Sequence, residues 1–330
     1  MRVLHVNDVA SVATLLCRAS GGQDELYQPR LRRSLPPGAA GSLMLAAARA
    51  RDAWNVRRAF RRGGFTNLHV HYATFALIAD VAGLDYSLHL HGGDILRDAA
   101  GRKGAIVKRA VARARRVVVS TPDLLTHARR LRGDAIYCPN PMELPPERTR
   151  RRGGRAPRVI LLSKLDPRKG LEQQLVVLRD LRNAVPELRF SFLSHGALPI
   201  AERERYGREL ALLGGTPLPQ LPREEFLELL WEHDLALGQL EVGALGMSEL
   251  EALATGLPVI ADARAHDAIG MTPPVIPPAR AVSEVLRMWR DDGAAWSAIG
   301  ARGRAYVARH HDPETVLRSL RQAIAGGAPA

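Results

Sequence analysis

The segment SKLDPRKG, residues 163–170, places two lysines at a turn between an apolar run and a helical pattern. Lys164 and Lys169 are two of only four lysines in the chain. Cations grouped with the free N–H groups of a helix N-terminus suit a diphosphate, because both direct positive charge at its oxygens. The spacing therefore predicts a phosphate-binding turn on Lys164 and Lys169, and a solvated surface pair is the alternative.

A second candidate is GALGMSELEALATGLPVIA, residues 243–261, in which two glutamates open a helical pattern. Glu249 and Glu251 are two residues apart, so they point about 200° apart on a helix and cannot face one ligand together. We expect Glu251 to be the ligand-binding carboxylate and Glu249 to be a first-turn residue favoured by the helix dipole, with a ligand contact as its alternative. Backbone N–H groups at Gly246 and Met247 are further candidates for binding phosphate or sugar oxygens.

The segments LHVHY and LHLHGGD place four histidines at strand ends: His69, His71, His89 and His91. Alternation along a strand points both histidines of a pair to one face, as a zinc site would need. No acidic or cysteine partner has ligand spacing, so we expect no metal. His91 differs because Gly92 follows it, which predicts a binding position for both residues at the end of a strand, with packing or capping as the alternative.

A fourth candidate follows the first apolar run, in NDVASVATLL, residues 7–16. Ala10 and Ser11 open a helical pattern whose free N–H groups suit a phosphate. The segment lacks a G-x-G-x-x-G fingerprint, so an ordinary N-capped helix is the alternative.

The elements that must position these residues alternate between strands and helices. Predicted strands cover 2–6, 67–71, 86–90, 116–119, 135–138, 158–163, 189–193, 235–239 and 258–261. Predicted helices cover 12–19, 42–62, 73–82, 104–114, 122–131, 170–184, 201–213, 223–232, 247–255, 281–290 and 294–309. This alternation predicts an α/β protein with doubly wound parallel sheets, which bind ligands beyond the carboxyl ends of their strands.

The length of 330 residues predicts two domains. The Pro-, Gly- and Arg-rich segment 140–157 is interpreted as a linker, so that domains of 1–150 and 156–330 face each other across a cleft. Residues 1–155 hold 27 Lys and Arg against 12 Asp and Glu, whereas residues 156–330 hold 20 against 22. The sequence shows no signal peptide or membrane-spanning run, and its two cysteines form no motif, so we expect a cytoplasmic protein.

These segments, taken in order, resemble the retaining GT-B glycosyltransferases of family 4. SKLDPRKG and ELEALATGLPVIA carry the resemblance together with HGGD, VSTPDLL, YCPNP and LPQLPREEFLELLWEHDLALGQ. The resemblance covers most of the chain. It implies two Rossmann-like domains, with the acceptor bound by the first and the nucleotide-sugar by the second, and a last helix near 313–325 that crosses back to the first domain.

The resemblance also implies roles for single residues. Lys169 matches the lysine on the donor diphosphate, Lys164 stands where the family usually has arginine, and His91 matches the histidine close to the donor sugar. Glu251 matches the glutamate that binds the ribose hydroxyls, and Leu218 begins the segment expected to line the base. No metal or other cofactor is implied, which fits the lack of an Asp-x-Asp pair.

One position departs from the family pattern. Gly243 stands where the family has its other glutamate, eight residues before Glu251. The resemblance therefore leaves open how the hydroxyls of the donor sugar are held. A degenerate binding protein without turnover is one interpretation of this difference.

The implied function is metal-independent transfer of a sugar from a UDP- or GDP-sugar to an acceptor, with retention of configuration. The basic first domain predicts an anionic acceptor, whether lipid, glycan or nucleic acid, and a peripheral membrane contact. Helix 42–62 has an apolar stripe flanked by arginines, for which a core-facing position is the alternative. The alternatives for the whole chain are a GT-B epimerase or phosphorylase and a basic nucleic-acid-binding or DNA-modifying protein. Little aromatic interleaving among the arginines speaks against nucleic-acid binding.

Overall fold

The computed structural model describes residues 1–30, 38–150, 154, 156–196, 198–290 and 293–326. The described chain divides into two compact units. The N-terminal unit combines Met1–Pro141 with the described part of Pro313–Ala330, and the C-terminal unit is Met142–Asp312.

The N-terminal unit is built on a parallel sheet. Its strands are β1 Val3–Val6, β2 Glu25–Tyr27, β3 Asn67–His71, β4 Ser87–Leu90, β5 Val117–Val119 and β6 Ile136–Tyr137, and they are ordered β2-β1-β3-β4-β5-β6. Its helices are α1 Val12–Ala19, α2 Ala39–Arg62, α3 Ala76–Ala82, α4 Gly104–Arg113 and α5 Leu124–Leu131. A 3-10 turn at Ala73–Phe75 and a π-helix at Gly93–Asp98 follow β3 and β4.

The C-terminal unit repeats this construction. Its strands are β7 Arg158–Leu161, β8 Arg189–Leu193, β9 Gly215–Leu218, β10 Leu235–Leu237 and β11 Val259–Ile260, and they are ordered β11-β10-β7-β8-β9. Its helices are α6 Leu171–Ala184, α7 Ile200–Leu212, α8 Arg223–Trp231, α9 Met247–Ala254, α10 Ala281–Arg290 and α11 Ala294–His310. Three 3-10 turns cover Pro167–Lys169, Arg264–Ile269 and Pro278–Arg280.

The last helix, α12 (Pro313–Ala325), belongs to the N-terminal unit. Its apolar side packs against α1, with Leu317 and Leu320 in the same buried cluster as Val12 and Leu16. The Arg321 guanidinium donates to the carboxylate of Asp24 at 3.0 Å. Apolar burial and one shielded ion pair therefore hold the end of the chain to this unit.

The α/β class and the parallel sheets predicted from the sequence are confirmed. Buried apolar runs form the inner strands, because parallel strands are covered on both faces. Two short strands escaped the prediction, and both are sheet edges. In β2 all three residues are at least partly exposed, and β9 contains Pro217, which an edge strand tolerates.

Two interpretations of the sequence need correction. Segment 140–157 is predicted as a linker, yet Met142 is buried and the Arg150 guanidinium donates to Thr255 O at 2.7 Å and to Leu230 O at 2.6 Å. The described part of this segment therefore packs on the C-terminal unit, while residues 151–153 and 155 lie outside the described chain. In α2 only part of the apolar stripe faces a core, since Leu43 and Trp54 are 73% and 60% exposed whereas Ala53 is buried.

The strand order locates one topological switch point in each sheet. In the N-terminal sheet, chain direction along the sheet reverses between β1 and β3, and in the C-terminal sheet between β7 and β10. Ligands of doubly wound sheets bind outside the carboxyl ends of the strands at such points. None of the helices in the described ranges is both long and apolar enough to cross a membrane.

Candidate functional site

In the C-terminal unit, both predicted lysines follow β7, at the switch point. Lys164 is exposed, and Lys169 is half-buried with its ammonium donating to Gln239 Oε1 at 2.6 Å. Asp166 shapes the turn between them, because its carboxylate accepts the backbone N–H of Arg168 at 3.1 Å. The lysines therefore stand at the carboxyl edge of the sheet.

Gly170 lets this turn approach the loop after β10. Its φ is +81°, a conformation that favours glycine. A Cβ at this position would lie 3.0 Å from the backbone nitrogen of Glu241. Gly170 is thus needed for close backbone contact across the switch point.

Gln239, which sequence reasoning missed, lies at the centre of this site. It follows β10, is almost fully buried, and accepts from Lys169 while its Nε2 donates to Ala244 O. Its backbone N–H donates to Glu249 Oε1 at 2.9 Å. The side-chain amide of Gln239 thereby joins the lysine turn to the loop 243–246, and its backbone N–H joins both to helix α9. Its position directly beyond a strand at the switch point was the only sequence signal.

Glu249 lies at the start of α9 and its carboxylate is directed at the backbone. Besides Gln239, it accepts the N–H of Gly246 at 3.0 Å. The side chain is therefore used to hold the loop that enters the helix. The first-turn N–H groups of Met247 and Ser248 point out of the N-terminus of α9, where the helix dipole adds positive potential.

Glu251 makes an ion pair that the sequence did not predict. The Arg223 Nε, at the start of α8, lies 2.8 Å from Glu251 Oε1. Burial raises the pKa of the Glu251 carboxyl, and Arg223 partly offsets this. Glu251 lies in a stretch in which every residue of 249–254 is buried.

The loop at Gly243 is shaped by backbone conformation and by a neighbouring arginine. Gly243 has a φ of +77°, and a Cβ there would lie 3.0 Å from Arg264 Cγ. Arg264 Nη2 donates to Glu241 O at 2.8 Å. Any carboxylate at position 243 would require both backbone strain and displacement of Arg264.

Two further residues complete this edge of the C-terminal sheet. Leu218 ends β9, is half-buried, and accepts the N–H of Ser194 at 2.9 Å. His266 Nε2 accepts the N–H of Leu245 at 3.3 Å, and burial lowers its pKa to about 4. A neutral imidazole therefore supports the loop before α9.

In the N-terminal unit, backbone strain concentrates at the switch point. Among the described residues, every non-glycine with positive φ follows β1 or β3: Asn7, Ala10, Ser11 and Tyr72, with φ of 70°, 51°, 63° and 79°. Ser11 precedes α1 in a left-handed conformation and makes no side-chain cap. Such strain persists only where surrounding contacts fix it, and it clusters at binding sites.

His91 directly follows β4, next to this strained edge, and its backbone is held by a buried carboxylate. Asp94 Oδ1 accepts the N–H of His91 at 3.0 Å, and Oδ2 accepts the N–H of Ala73 at 3.2 Å. Burial raises the pKa of Asp94 to about 6. Gly92, with a φ of +88°, makes the turn between them.

Histidines line one face of the N-terminal sheet. His5, His69, His71 and His89 are fully buried, and burial lowers the pKa of all four. His71 Nδ1 lies 3.1 Å from His91 Nε2. The sequence predicted His69, His71, His89 and His91 as strand ends, but His69 and His89 lie within β3 and β4. It missed His5, because a lone histidine in β1 carries no spacing signal.

Comparison with solved structures identifies the fold. Sucrose-phosphate synthase from Thermosynechococcus elongatus matches with a TM-score of 0.65 and 16% identity, covering 98% of each chain. HepE of Anabaena, solved with UDP-glucose, matches at 0.67 and 12% identity over 98% of this chain and 99% of that one. A glycosyltransferase from Rickettsia africae matches at 0.64 and 11% identity over 99% of both.

These matches define the class of fold. The chain has the GT-B fold that these glycosyltransferases share. No protein-family model matches the chain. The curated protein sequences likewise give no match.

Proposed function

We propose that this protein is a retaining glycosyltransferase of family 4 type that binds a nucleoside-diphosphate sugar in its C-terminal unit. The observation that carries the proposal is the joining of Lys169, Gln239 and the N-terminus of α9 at the switch point of the C-terminal sheet. Positive side-chain charge and free helix N–H groups there suit a diphosphate. The solved HepE structure with UDP-glucose shares this fold and supports a UDP-sugar as the first donor to test.

Each predicted residue receives a role in this proposal. Lys164 and Lys169 stabilise the charge that develops on the leaving diphosphate, together with backbone N–H groups at Gly246 and Met247. Glu251 accepts hydrogen bonds from the ribose hydroxyls, and Leu218 contacts the base. In the N-terminal unit, His91 and Gly92 contact the donor sugar, and Ala10 and Ser11 offer backbone N–H groups to a phosphate.

Two roles are predicted for Glu249, a first-turn residue of α9 and a ligand contact, and its contacts favour the first. Both of its oxygens accept backbone N–H groups, at Gln239 and Gly246. We therefore propose that Glu249 positions the loop rather than contacting the donor. In this proposal, backbone groups of the loop 243–246 bind the sugar hydroxyls that the family's other glutamate would bind.

The proposed reaction needs no protein nucleophile. The bond from the anomeric carbon to the diphosphate oxygen breaks, and the acceptor oxygen bonds to that carbon on the same face. The acceptor proton passes to the leaving diphosphate. No metal is assigned to this step, because Lys164, Lys169 and the helix N–H groups supply the positive potential that a metal would otherwise provide.

The test is a thermal-shift screen of UDP- and GDP-sugars on the full chain, repeated with Lys169→Ala and Glu251→Ala. Both variants should lose the shift, while Lys108→Ala and Glu187→Ala, at exposed positions, should keep it. Absence of any donor shift, or variants that respond like wild type, would overturn this site. Product analysis with and without acceptor then separates transfer from epimerisation or phosphorolysis.

A second proposal concerns the acceptor and rests on α2. Trp54 is 60% exposed, and Trp54, Arg57, Arg58, Arg61 and Arg62 line a pocket of about 430 Å³. The Arg58 guanidinium lies 5.3 Å from the centre of the Trp54 ring. Four arginines around an exposed indole fit an anionic group, and the apolar residues near the start of α2 fit a lipid surface.

We therefore propose that α2 contacts an anionic membrane at which the acceptor lies. Leu43, Met44 and Leu45 are exposed in its first turns. Flotation with vesicles of neutral lipid alone and of neutral with anionic lipid tests this. Binding only to anionic vesicles, lost in Arg57→Glu/Arg61→Glu, is expected. Equal, negligible binding to both vesicles would contradict it, and a shifted nucleic-acid band in a gel assay would favour the nucleic-acid alternative.

A further inference from the structure

The buried histidines of the N-terminal sheet form a compact cluster of imidazoles on three neighbouring strands. In register, His5 of β1 pairs with His69 of β3, and His71 of β3 pairs with His89 of β4. Paired residues share a face, as do residues two apart on one strand. The sheet geometry therefore gathers all four side chains on one face.

One pair of ring nitrogens in the cluster is already spaced like ligand atoms around a metal. His69, His71 and His89 can each offer a nitrogen such that the three atoms lie within 4.8 Å of one another. His69 Nε2 and His89 Nδ1 are 3.4 Å apart, and His5 Nδ1 and His71 Nε2 are 3.0 Å apart. Ligand atoms of a tetrahedral zinc ion, at 2.0–2.1 Å from the metal, are separated by about 3.3 Å.

The cluster contains buried ring nitrogens whose hydrogen-bonding capacity no described group satisfies. His5 Nε2 and His89 Nε2 are buried and have no hydrogen-bond partner among the described residues. A buried polar atom in that state requires an explanation, and an ion is one of the few available. Burial without a contacting carboxylate favours neutral imidazole, which is the form that binds metal.

One of the three histidines, His69, already has a hydrogen-bond partner on its other ring nitrogen. Ser87 Oγ lies 2.7 Å from His69 Nδ1 and itself donates to Leu68 O at 3.3 Å. Metal-binding histidines usually use their second ring nitrogen in such a contact, which fixes the ring. It leaves His69 Nε2 directed at the cluster.

We propose that His69, His71 and His89 bind a divalent transition metal of the zinc type. An all-imidazole set suits zinc, nickel or copper and does not suit magnesium or calcium, which require oxygen ligands. The metal links β3 to β4 beneath His91 and is separate from the proposed donor chemistry. Its role is structural, since it holds the strands whose ends carry Tyr72 and His91.

The test measures metal directly on the full, tag-free chain. After chelator treatment, the protein is dialysed against Zn²⁺ and then against buffer, and bound metal is measured by elemental analysis. We expect about one zinc per chain and a rise in melting temperature with Zn²⁺ but not with Mg²⁺. Retention of no zinc after dialysis would overturn the proposal.

Variants assign the metal to the cluster. His69→Gln and His89→Gln should each lose the bound zinc, whereas His127→Gln, at an exposed position, should retain it. Zinc retained at full stoichiometry in both cluster variants would contradict the assignment. Because these variants change a core, wild type loaded with Co²⁺ gives a second measurement: visible absorption of a tetrahedral nitrogen site supports the proposal, and an octahedral aqueous spectrum contradicts it. Neither measurement depends on a nucleotide-sugar, so failure here leaves the proposed donor site untouched.

Discussion

The two units contain similar sheets, but their switch points differ in side-chain pairing and in backbone conformation. In the C-terminal unit, Lys169, Gln239 and Glu249 are matched with partners, and glycines occupy the left-handed positions. In the N-terminal unit, ordinary residues such as Ala10 and Tyr72 carry the left-handed backbone, above a face of imidazoles with unpartnered nitrogens.

This difference separates two kinds of binding surface. Paired charges and relaxed glycine turns hold a fixed set of donors, which suits a ligand of constant chemistry such as a diphosphate. Strained backbone requires support from the contacts around it, and in the N-terminal unit Asn7 Nδ2 donates to His71 O and the Tyr72 N–H donates to His89 O. Each of the following variants alters one of the two units, and the expected effects decrease from the first variant to the last.

Gln239→Leu should have the largest effect, since it removes the side-chain amide that joins the lysine turn to the loop 243–246. The Lys169 ammonium loses its acceptor and Ala244 O its donor, which should lower the free energy of unfolding of the C-terminal unit by about 3 kcal/mol. Donor affinity should fall about tenfold or more. Urea unfolding followed by tryptophan fluorescence reports mainly on this unit, because three of the four tryptophans, Trp231, Trp289 and Trp296, lie in it.

The matched control is Gln173→Leu, an exposed glutamine that donates to Glu241 at 2.8 Å. It should change the free energy of unfolding by less than about 0.5 kcal/mol. If Gln239→Leu behaved like this control, Gln239 would not be the centre of the site.

His266→Gln should remove part of the acid sensitivity of the C-terminal unit. The pKa of His266 is lowered from 6.5 to about 4 on folding. The unfolded chain therefore binds the proton more readily, so this contribution to stability is complete above pH 6.5 and is lost as the pH falls towards 4. At pH 5 the loss amounts to about 2 kcal/mol.

Glutamine keeps an acceptor for the Leu245 N–H but does not titrate. The variant should match wild type at pH 8 and exceed it at pH 5 in urea unfolding. Parallel pH profiles for the two proteins would rule out His266 as the titrating group.

Gly243→Ala should lower the free energy of unfolding by about 1–2 kcal/mol. Alanine is strained at a φ of +77°, and its Cβ would contact Arg264. Gly207→Ala, in α7 with no atom within 4 Å of the new Cβ, should instead raise it by about 0.5–1 kcal/mol. The same sign for both would mean that the turn at Gly243 is not left-handed.

Ala10→Gly should have the smallest effect and the opposite sign, because glycine relieves the strain that alanine carries at a φ of +51°. The relief of strain in the folded state should outweigh the added entropy of the unfolded chain. The free energy of unfolding should therefore rise by about 0.5 kcal/mol. Ala105→Gly, at an exposed position in α4, should lose about 1 kcal/mol. A loss in Ala10→Gly as well would remove the contrast between the two units.

The sequence predicted most of the helices and strands because their signal is local. Helix α1 and strand β3 have the bounds predicted for them, since apolar periodicity fixes which face is buried. Edge strands β2 and β9 were missed because a half-exposed strand has no such period. The predicted lysines do lie at the sheet edge, whereas Arg223 and Gln239 were missed because their partners are 28 and 70 residues away in the chain.

What the sequence determined by itself was the alternation of strands and helices, the charge imbalance between the halves, and the order of the motifs. Those properties depend on neighbours within a turn or a strand. The tertiary structure decided what the side chains contact: Glu251 pairs with Arg223, Glu249 holds backbone N–H groups, and His5 joins His69 and His71. Strand order and register bring these groups together, and both depend on packing between elements that are distant in the chain.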